Sequence, residues 1–347
     1  WCETPMTYLN PLLKPFLLAL LASLFLTPLL RRAALGSGFV DTPQPHKLHK
    51  EPVALLGGVG IYLSFALAVV ASGSLQRPLL GLLLGGVFLL SLGLIDDRRG
   101  MNPWAKLMGQ TIAAVIAVAS GIQISFLVFP SLNIPFTIFW IVGIINAFNL
   151  LDNMDGLSAG MTFISASTFA VLASRYSELG PEQIPTSLAS AALAGSCLGF
   201  LKYNKKPATI FMGDAGSMVL GYILAAVAAL GSWKSPTTPT SILIPLLVLA
   251  YPIFDTTFVV FRRFWEGRPI FQGGKDHTSH RLVSLGLEEL EAVLLIYLFA
   301  LCHALTAVLV SSVPFRLSLV ALTVSAIVLF IFGMILWKAG DRLGVGG

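Results

Sequence analysis

Apolar runs of membrane-spanning length follow one another along almost the whole chain, and that repetition limits what the chain can fold into. They occupy residues 11–30, 52–72, 79–95, 104–121, 135–150, 158–174, 187–203, 210–231, 240–261, 291–312 and 315–337. Each is near the roughly 20 residues a helix needs to cross ~30 Å of hydrocarbon. A soluble domain would carry about a quarter charged residues; here 11% are charged and 56% are hydrophobic. The short alternating segments of a transmembrane β-barrel are missing. The expectation is an all-α integral membrane protein, a polytopic bundle of about eleven transmembrane helices making one domain over residues 1–347.

Charge orients the bundle. Of 22 Lys and Arg residues, all but Lys14, Arg77, Arg175, Lys234 and Arg316 fall beyond the ends of the odd-numbered runs. Cations collect in cytoplasmic loops, so the N-terminus is predicted outside the cell membrane and the C-terminus in the cytoplasm. Topology thus accounts for the net charge of +5, and nucleic acid is not an expected partner. Cys2, Cys197 and Cys302 have neither a paired nor a metal-binding spacing; Cys197 and Cys302 fall inside runs as small packing residues. Residues 1–5 precede the first methionine, Met6, and are expected to be an expression-vector remnant. No small-residue cleavage site follows the first run, which reads as a retained helix.

Asp96, Asp97, Asp152, Asp155, Asp214, Asp255 and Asp276 all fall toward the predicted cytoplasmic side. Such a cluster needs cations to offset its self-repulsion. Asp96-Asp97-Arg98-Arg99 closes the third run, where the helix dipole adds to the mutual repulsion of the aspartates. Arg98 and Arg99 could relieve it, leaving only an interfacial charge cluster. Asn146, Asn149 and Asn153 recur at helical spacing before Asp155-Gly156, in a loop with no Lys or Arg. Carboxylates with amide oxygens suit Mg²⁺, or Mn²⁺ in its place; helix capping is the plainer alternative. Gly213-Asp214-Ala215-Gly216-Ser217 opens the eighth run and could bring backbone to a phosphate and a metal, or be a simple cap. Phe211 offers a stacking face to a base, or an interfacial aromatic. Gly273-Gly274-Lys275-Asp276-His277-Thr278-Ser279-His280-Arg281 could close over a diphosphate. A two-histidine zinc site lacks a third ligand at a usual spacing. His303 inside the tenth run suits a helix-to-helix hydrogen bond.

In this order the segments resemble the polyprenyl-phosphate N-acetylhexosamine-1-phosphate transferase superfamily, of the glycosyl transferase family 4 type. The likeness rests on the Asp96-Asp97 pair, the Asn146-to-Gly156 loop, the Gly213-to-Ser217 motif, the histidine loop, and Asp41-Thr-Pro-Gln-Pro-His46-Lys47-Leu-His49 with Gly57-Gly58. The resemblance implies transfer of a sugar 1-phosphate from a UDP-N-acetylhexosamine to polyprenyl phosphate, releasing UMP. It implies Asp214 as a Mg²⁺ ligand with Asn149 beside it, and catalytic roles for Asp96, Asp97, Asp152 and Asp155. Lys47, Lys106, Asn146, Asn149, Phe211, Asp255, His277, His280 and Arg281 become substrate contacts, with no role derivable for Asp255. A homodimer is compatible with it. Ser279 stands where many members carry a third histidine, and the His-His-His-Phe-Glu run of the phospho-MurNAc-pentapeptide branch is absent. This favours the UDP-GlcNAc branch, with the pentapeptide branch, a secondary transporter and a silent scaffold as alternatives.

Overall fold

The computed structural model describes residues 6–42, 51–73, 75–124, 129–176, 183–231, 233, 240–269, 274 and 276–342. Lys47, with His46 and His49, and Lys275 lie outside these residues. The chain divides into two compact units, Trp1–Ser232 and Trp233–Gly347.

The first unit contains α1 (Met6–Ser37), α2 (Gly57–Val70), α3 (Arg77–Arg99), α4 (Pro103–Ala119), α5 (Asn133–Leu151), α6 (Leu157–Arg175), α7 (Gln183–Asn204) and α8 (Gly213–Leu230). The second contains α9 (Thr240–Val248), α10 (Ala250–Trp265), α11 (Thr278–Ser284), α12 (Glu289–Ser312) and α13 (Phe315–Arg342). Among the described residues, eight helices are long and apolar enough to cross a membrane: α1, α3, α5, α6, α7, α8, α12 and α13. Helices α2 and α4 are apolar but shorter, at 14 and 17 residues. The chain is therefore an all-α polytopic membrane protein.

Three local expectations change. The run 240–261 is two helices, broken at Leu249. Pro245 and Pro252 flank the break, and each removes a backbone donor from the helical ladder. Helix α5 stops at Leu151, so the asparagine face ends with Asn149; Asn153 instead donates from Nδ2 to the Leu150 carbonyl at 2.9 Å. Residues 278–284 form the short helix α11, too brief for its period to register in the sequence.

Helix α8 is the core of the first unit, buried at every residue from Ala215 to Ala229. Helices α2, α3 and α5 pack on it. Lipid supplies no hydrophobic force between helices, so close packing of small residues and interhelical hydrogen bonds must hold them. Gly93 of α3 lies so near α8 that a Cβ there would sit 2.3 Å from Ala215 Cα. Tyr222 Oη donates to the Gly81 carbonyl at 2.8 Å, and Trp140 Nε1 to that of Ala225 at 3.1 Å. Leu21, Phe25, Leu84, Phe139 and Phe330 remain exposed, as lipid-facing side chains should.

A two-residue antiparallel ribbon, β1 (Val40–Asp41) and β2 (Val53–Ala54), precedes α2. Its edge holds the segment leading into α8: Phe211 N–H donates to Ala54 O at 2.8 Å, and Gly57 and Gly58 N–H donate to Phe211 O and Met212 O at 2.9 and 3.1 Å. The first loop is thereby fastened to the start of the buried helix.

Candidate active site

The C-terminal ends of α3 and α5 and the N-terminal ends of α4 and α8 carry polar side chains that meet. At the start of α8, Gly213 has φ +68°, a left-handed conformation natural only to glycine. The turn aims the next two N–H groups at Asp97, whose Oδ1 accepts from Asp214 N at 2.8 Å and Oδ2 from Ala215 N at 3.2 Å. First-turn N–H groups have no partner within their helix, and a carboxylate also complements the positive end of the dipole. Asp97 thus caps α8 from α3.

Lys106, one turn into α4, is the cation of the cluster. Its ammonium lies 2.9 Å from Asp96 Oδ2, 2.8 Å from Asp214 Oδ2 and 3.0 Å from Asn149 Oδ1. The Asp96 and Asp214 carboxylates reach the same ammonium, which supplies the cation that two such neighbours need between them. Asn149 donates from Nδ2 to Asp214 Oδ1 and to Ser217 Oγ, the latter at 3.0 Å. Arg98 and Arg99, which the sequence placed nearest to the aspartates, are exposed. Relief for the pair comes instead from α4 and α8, through tertiary contact.

Asp152 follows the last residue of α5. Burial first, then the charges of Asp214, Asp97 and Asp155, push its carboxyl up to about 8. Asp155 Oδ2 accepts from Ala208 N at 2.9 Å, tying its loop to the segment after α7. Asn204 strengthens the same tie: its Oδ1 accepts from Gly156 N at 3.1 Å and its Nδ2 donates to Ile210 O at 3.0 Å. Sequence reasoning missed Asn204; the available signal was a polar residue closing an apolar run just before Lys205-Lys206.

Asn146 is not at the cluster. Its Nδ2 donates to Gln110 Oε1 at 2.7 Å and to the Val142 carbonyl at 2.8 Å, making an amide pair between α5 and α4. Gln110 is wholly buried, and such a pair satisfies polar groups that lipid cannot. Its position one turn from Asn149, on the same helical face, is why the spacing grouped the two. Phe211 is half-buried beside the ribbon.

The remaining candidates belong to the second unit. Arg263 grips Asp276 with two bonds of 2.7 Å, and Arg268 adds one of 3.2 Å. Burial alone would raise the Asp276 carboxyl, but the bonds and charge of Arg263 outweigh it and hold the group down at about 2. Arg281 is buried and donates from Nε to the Asp276 carbonyl at 3.1 Å. His277 Nδ1 lies 2.9 Å from Asp255 Oδ2, and the His280 ring is 6.5 Å from that of His277. His303 is buried, with Nδ1 at 2.8 Å from the Phe299 carbonyl of its own helix. No group of three His, Cys, Asp or Glu poised for a metal occurs among the described residues.

Residues 79–232, the stretch holding the Lys106 cluster, match glycosyl transferase family 4. An undecaprenyl-phosphate N-acetylglucosaminyl 1-phosphate transferase of Bacillus subtilis is 38% identical over 314 residues, covering 88% of this chain and 86% of its own. The chain belongs to glycosyl transferase family 4. A decaprenyl-phosphate N-acetylglucosaminephosphotransferase of Mycolicibacterium smegmatis is 32% identical over 82% of the chain and 78% of its own length. A phospho-N-acetylmuramoyl-pentapeptide-transferase of Heliobacterium modesticaldum shares 34% over 70% of the chain and 78% of its own. This family 4 member is thus similar to both branches, and over more of its length to the first.

Proposed function

We propose that this family 4 member transfers an N-acetylhexosamine 1-phosphate, GlcNAc 1-phosphate before others, from a UDP-sugar to polyprenyl phosphate at the cytoplasmic face of the cell membrane. UMP leaves, and the product is a polyprenyl-diphosphate-linked sugar. The observation that carries this reading is the Lys106 ammonium held by Asp96, Asp214 and Asn149 at the helix ends. The acceptor's isoprenoid tail cannot leave the bilayer and the nucleotide cannot enter it, so the two reacting phosphates can meet only at such an edge. The charge bias of the sequence, read as eleven spans with the N-terminus outside, supports a cytoplasmic position for these helix ends.

Mg²⁺ fits the donor set: two carboxylates and an amide oxygen are hard ligands, and here they already converge on a cation. Asp214 and Asn149 would hold the ion, with Asp96 adjacent, and the ion would offset the charge of two phosphates brought together. The chain's own groups have separate tasks. Lys106 supplies fixed positive charge to the phosphates. Asp96, beside Lys106, is the one of the aspartate pair assigned to the acceptor phosphate, since both oxygens of Asp97 are committed to α8. Asp97 positions Asp214. Asp152 faces the substrate pocket on the family pattern, and Asp155 with Asn204 braces the loop beside it. Phe211, His277, His280 and Arg281 are assigned to nucleobase and diphosphate on the family pattern.

The pentapeptide-transferase reading is weaker, because the relatives so named cover less of the chain. A transporter would place its ionisable groups near the bilayer midplane; these lie at helix ends. The test is UMP release by detergent-purified protein from a panel of UDP-sugars, with and without undecaprenyl phosphate and Mg²⁺. Release that needs the lipid and the ion supports the proposal and names the donor. Asp214→Asn should abolish it in folded protein, and retained turnover would remove Asp214 from the metal site.

A further inference from the structure

Asp255 lies in the middle of α10 and is 1% exposed. An isolated carboxylate there would be costly, yet among the described residues its hydrogen bonds all go to His277 and Thr278, the two residues that open α11. Its Oδ1 accepts from Thr278 N at 2.8 Å and Thr278 Oγ1 at 2.6 Å; its Oδ2 lies 2.9 Å from His277 Nδ1. Tyr251, one turn earlier on α10, reaches the same Thr278 hydroxyl at 2.7 Å. The two oxygens therefore divide the work. One caps α11; the other holds an imidazole that is itself 5% exposed.

An ionised carboxylate only accepts hydrogen bonds, so the proton between Asp255 and His277 belongs to Nδ1. The ring is thereby fixed in orientation and in tautomer, with Nε2 the nitrogen left to meet a ligand. We propose that Asp255 is the positioning residue of the histidine loop, acting on sugar-phosphate transfer through His277 Nε2. The effect on transfer rests on the diphosphate role assigned above to the loop, whereas the tautomer assignment does not. A carboxylate behind a working histidine orients the ring and fixes its tautomer. Asp276 serves the same loop by another route, anchored to Arg263 two turns further along α10.

Asp255→Asn separates the two tasks. The amide oxygen can still accept from Thr278 and cap α11, but the amide nitrogen turned to His277 would donate, driving the proton to Nε2. Turnover should fall about 10- to 100-fold, as on loss of an outer partner of a functional histidine. In a double-mutant cycle, Asp255→Asn should cost little more once His277→Ala is present. Histidine ¹⁵N spectra, with His277 assigned by its loss in His277→Ala, should show the Nδ1–H tautomer in the parent and Nε2–H in Asp255→Asn. Tyr251→Phe weakens only the Thr278 side, and should lower the melting temperature while leaving turnover near the parent value.

Additive losses in the cycle would overturn the proposal, since Asp255 would then serve folding alone. An Nε2–H tautomer in the parent would overturn it whether or not Asp255→Asn folds. Full turnover in His277→Ala would sink the effect on transfer. Absence of UMP release by the parent from any donor would instead defeat the proposed function, and the tautomer measurement, made without substrate, would still judge Asp255.

Discussion

Asp97→Asn tests whether the second aspartate of the pair positions or reacts. The substitution keeps size and one acceptor oxygen, but sets an amide nitrogen against one of the two N–H groups now bound at 2.8 and 3.2 Å. A hydrogen bond to a charged group contributes about 1.5–3 kcal/mol, and an anion at a helix N-terminus about 0.3–1 kcal/mol more. Loss of one bond and the charge should therefore loosen the first turn of α8 by about 2–4 kcal/mol. Asp214 is the residue on that turn. If the cost falls on the arrangement needed for turnover, the rate drops roughly 30- to 1000-fold. The assay is UMP release titrated with Mg²⁺, beside the melting temperature. A positioning role predicts a raised Mg²⁺ requirement with partial recovery of rate at high Mg²⁺. Loss of turnover at an unchanged Mg²⁺ half-saturation would refute the reasoning and return Asp97 to the chemistry.

Lys106→Met removes the ammonium that occupies oxygens of Asp96, Asp214 and Asn149. Turnover should collapse while Mg²⁺ raises the melting temperature more than in the parent, because a competitor for the same oxygens is gone; an unchanged Mg²⁺ response would mean separate sites. Gly93→Ala should cost about 1–3 kcal/mol as overpacking, since its Cβ would meet Ala215 Cα at 2.3 Å, and should impair turnover although no reacting group is touched; a fully active, equally stable variant would disprove the tight α3–α8 contact. Asp276, held near 2 against 3.8, contributes about 2 kcal/mol that is complete above its unfolded value and disappears as pH falls through 2. Asp276→Asn should therefore melt lower at neutral pH, with the gap closing toward pH 2; a constant gap would assign the loss to packing instead.

The membrane class was legible because it follows from run length and charge deficit, which no packing arrangement alters. The Asp96-Asp97 pair at a helix end and Asp214 in the first turn of a helix were legible for a related reason: capping and dipole chemistry is local. Partnerships were not. Arg98 and Arg99 are adjacent in sequence to the aspartates but exposed, while Lys106, Asn149 and the backbone of α8 come from other helices. Asn146 and Asn149 share a helical face by spacing, yet one pairs with Gln110 inside the bundle and the other reaches Asp214. Periodicity gives the face and not the depth along the helix at which neighbours stand. Asp255 shows the limit most plainly, because its carboxylate is used by residues 22 and 23 positions later. The sequence by itself determined the medium, the all-helical class and the stock of charged groups. Only the tertiary structure decided which charge meets which, because burial makes those pairings obligatory and the fold alone sets the distances.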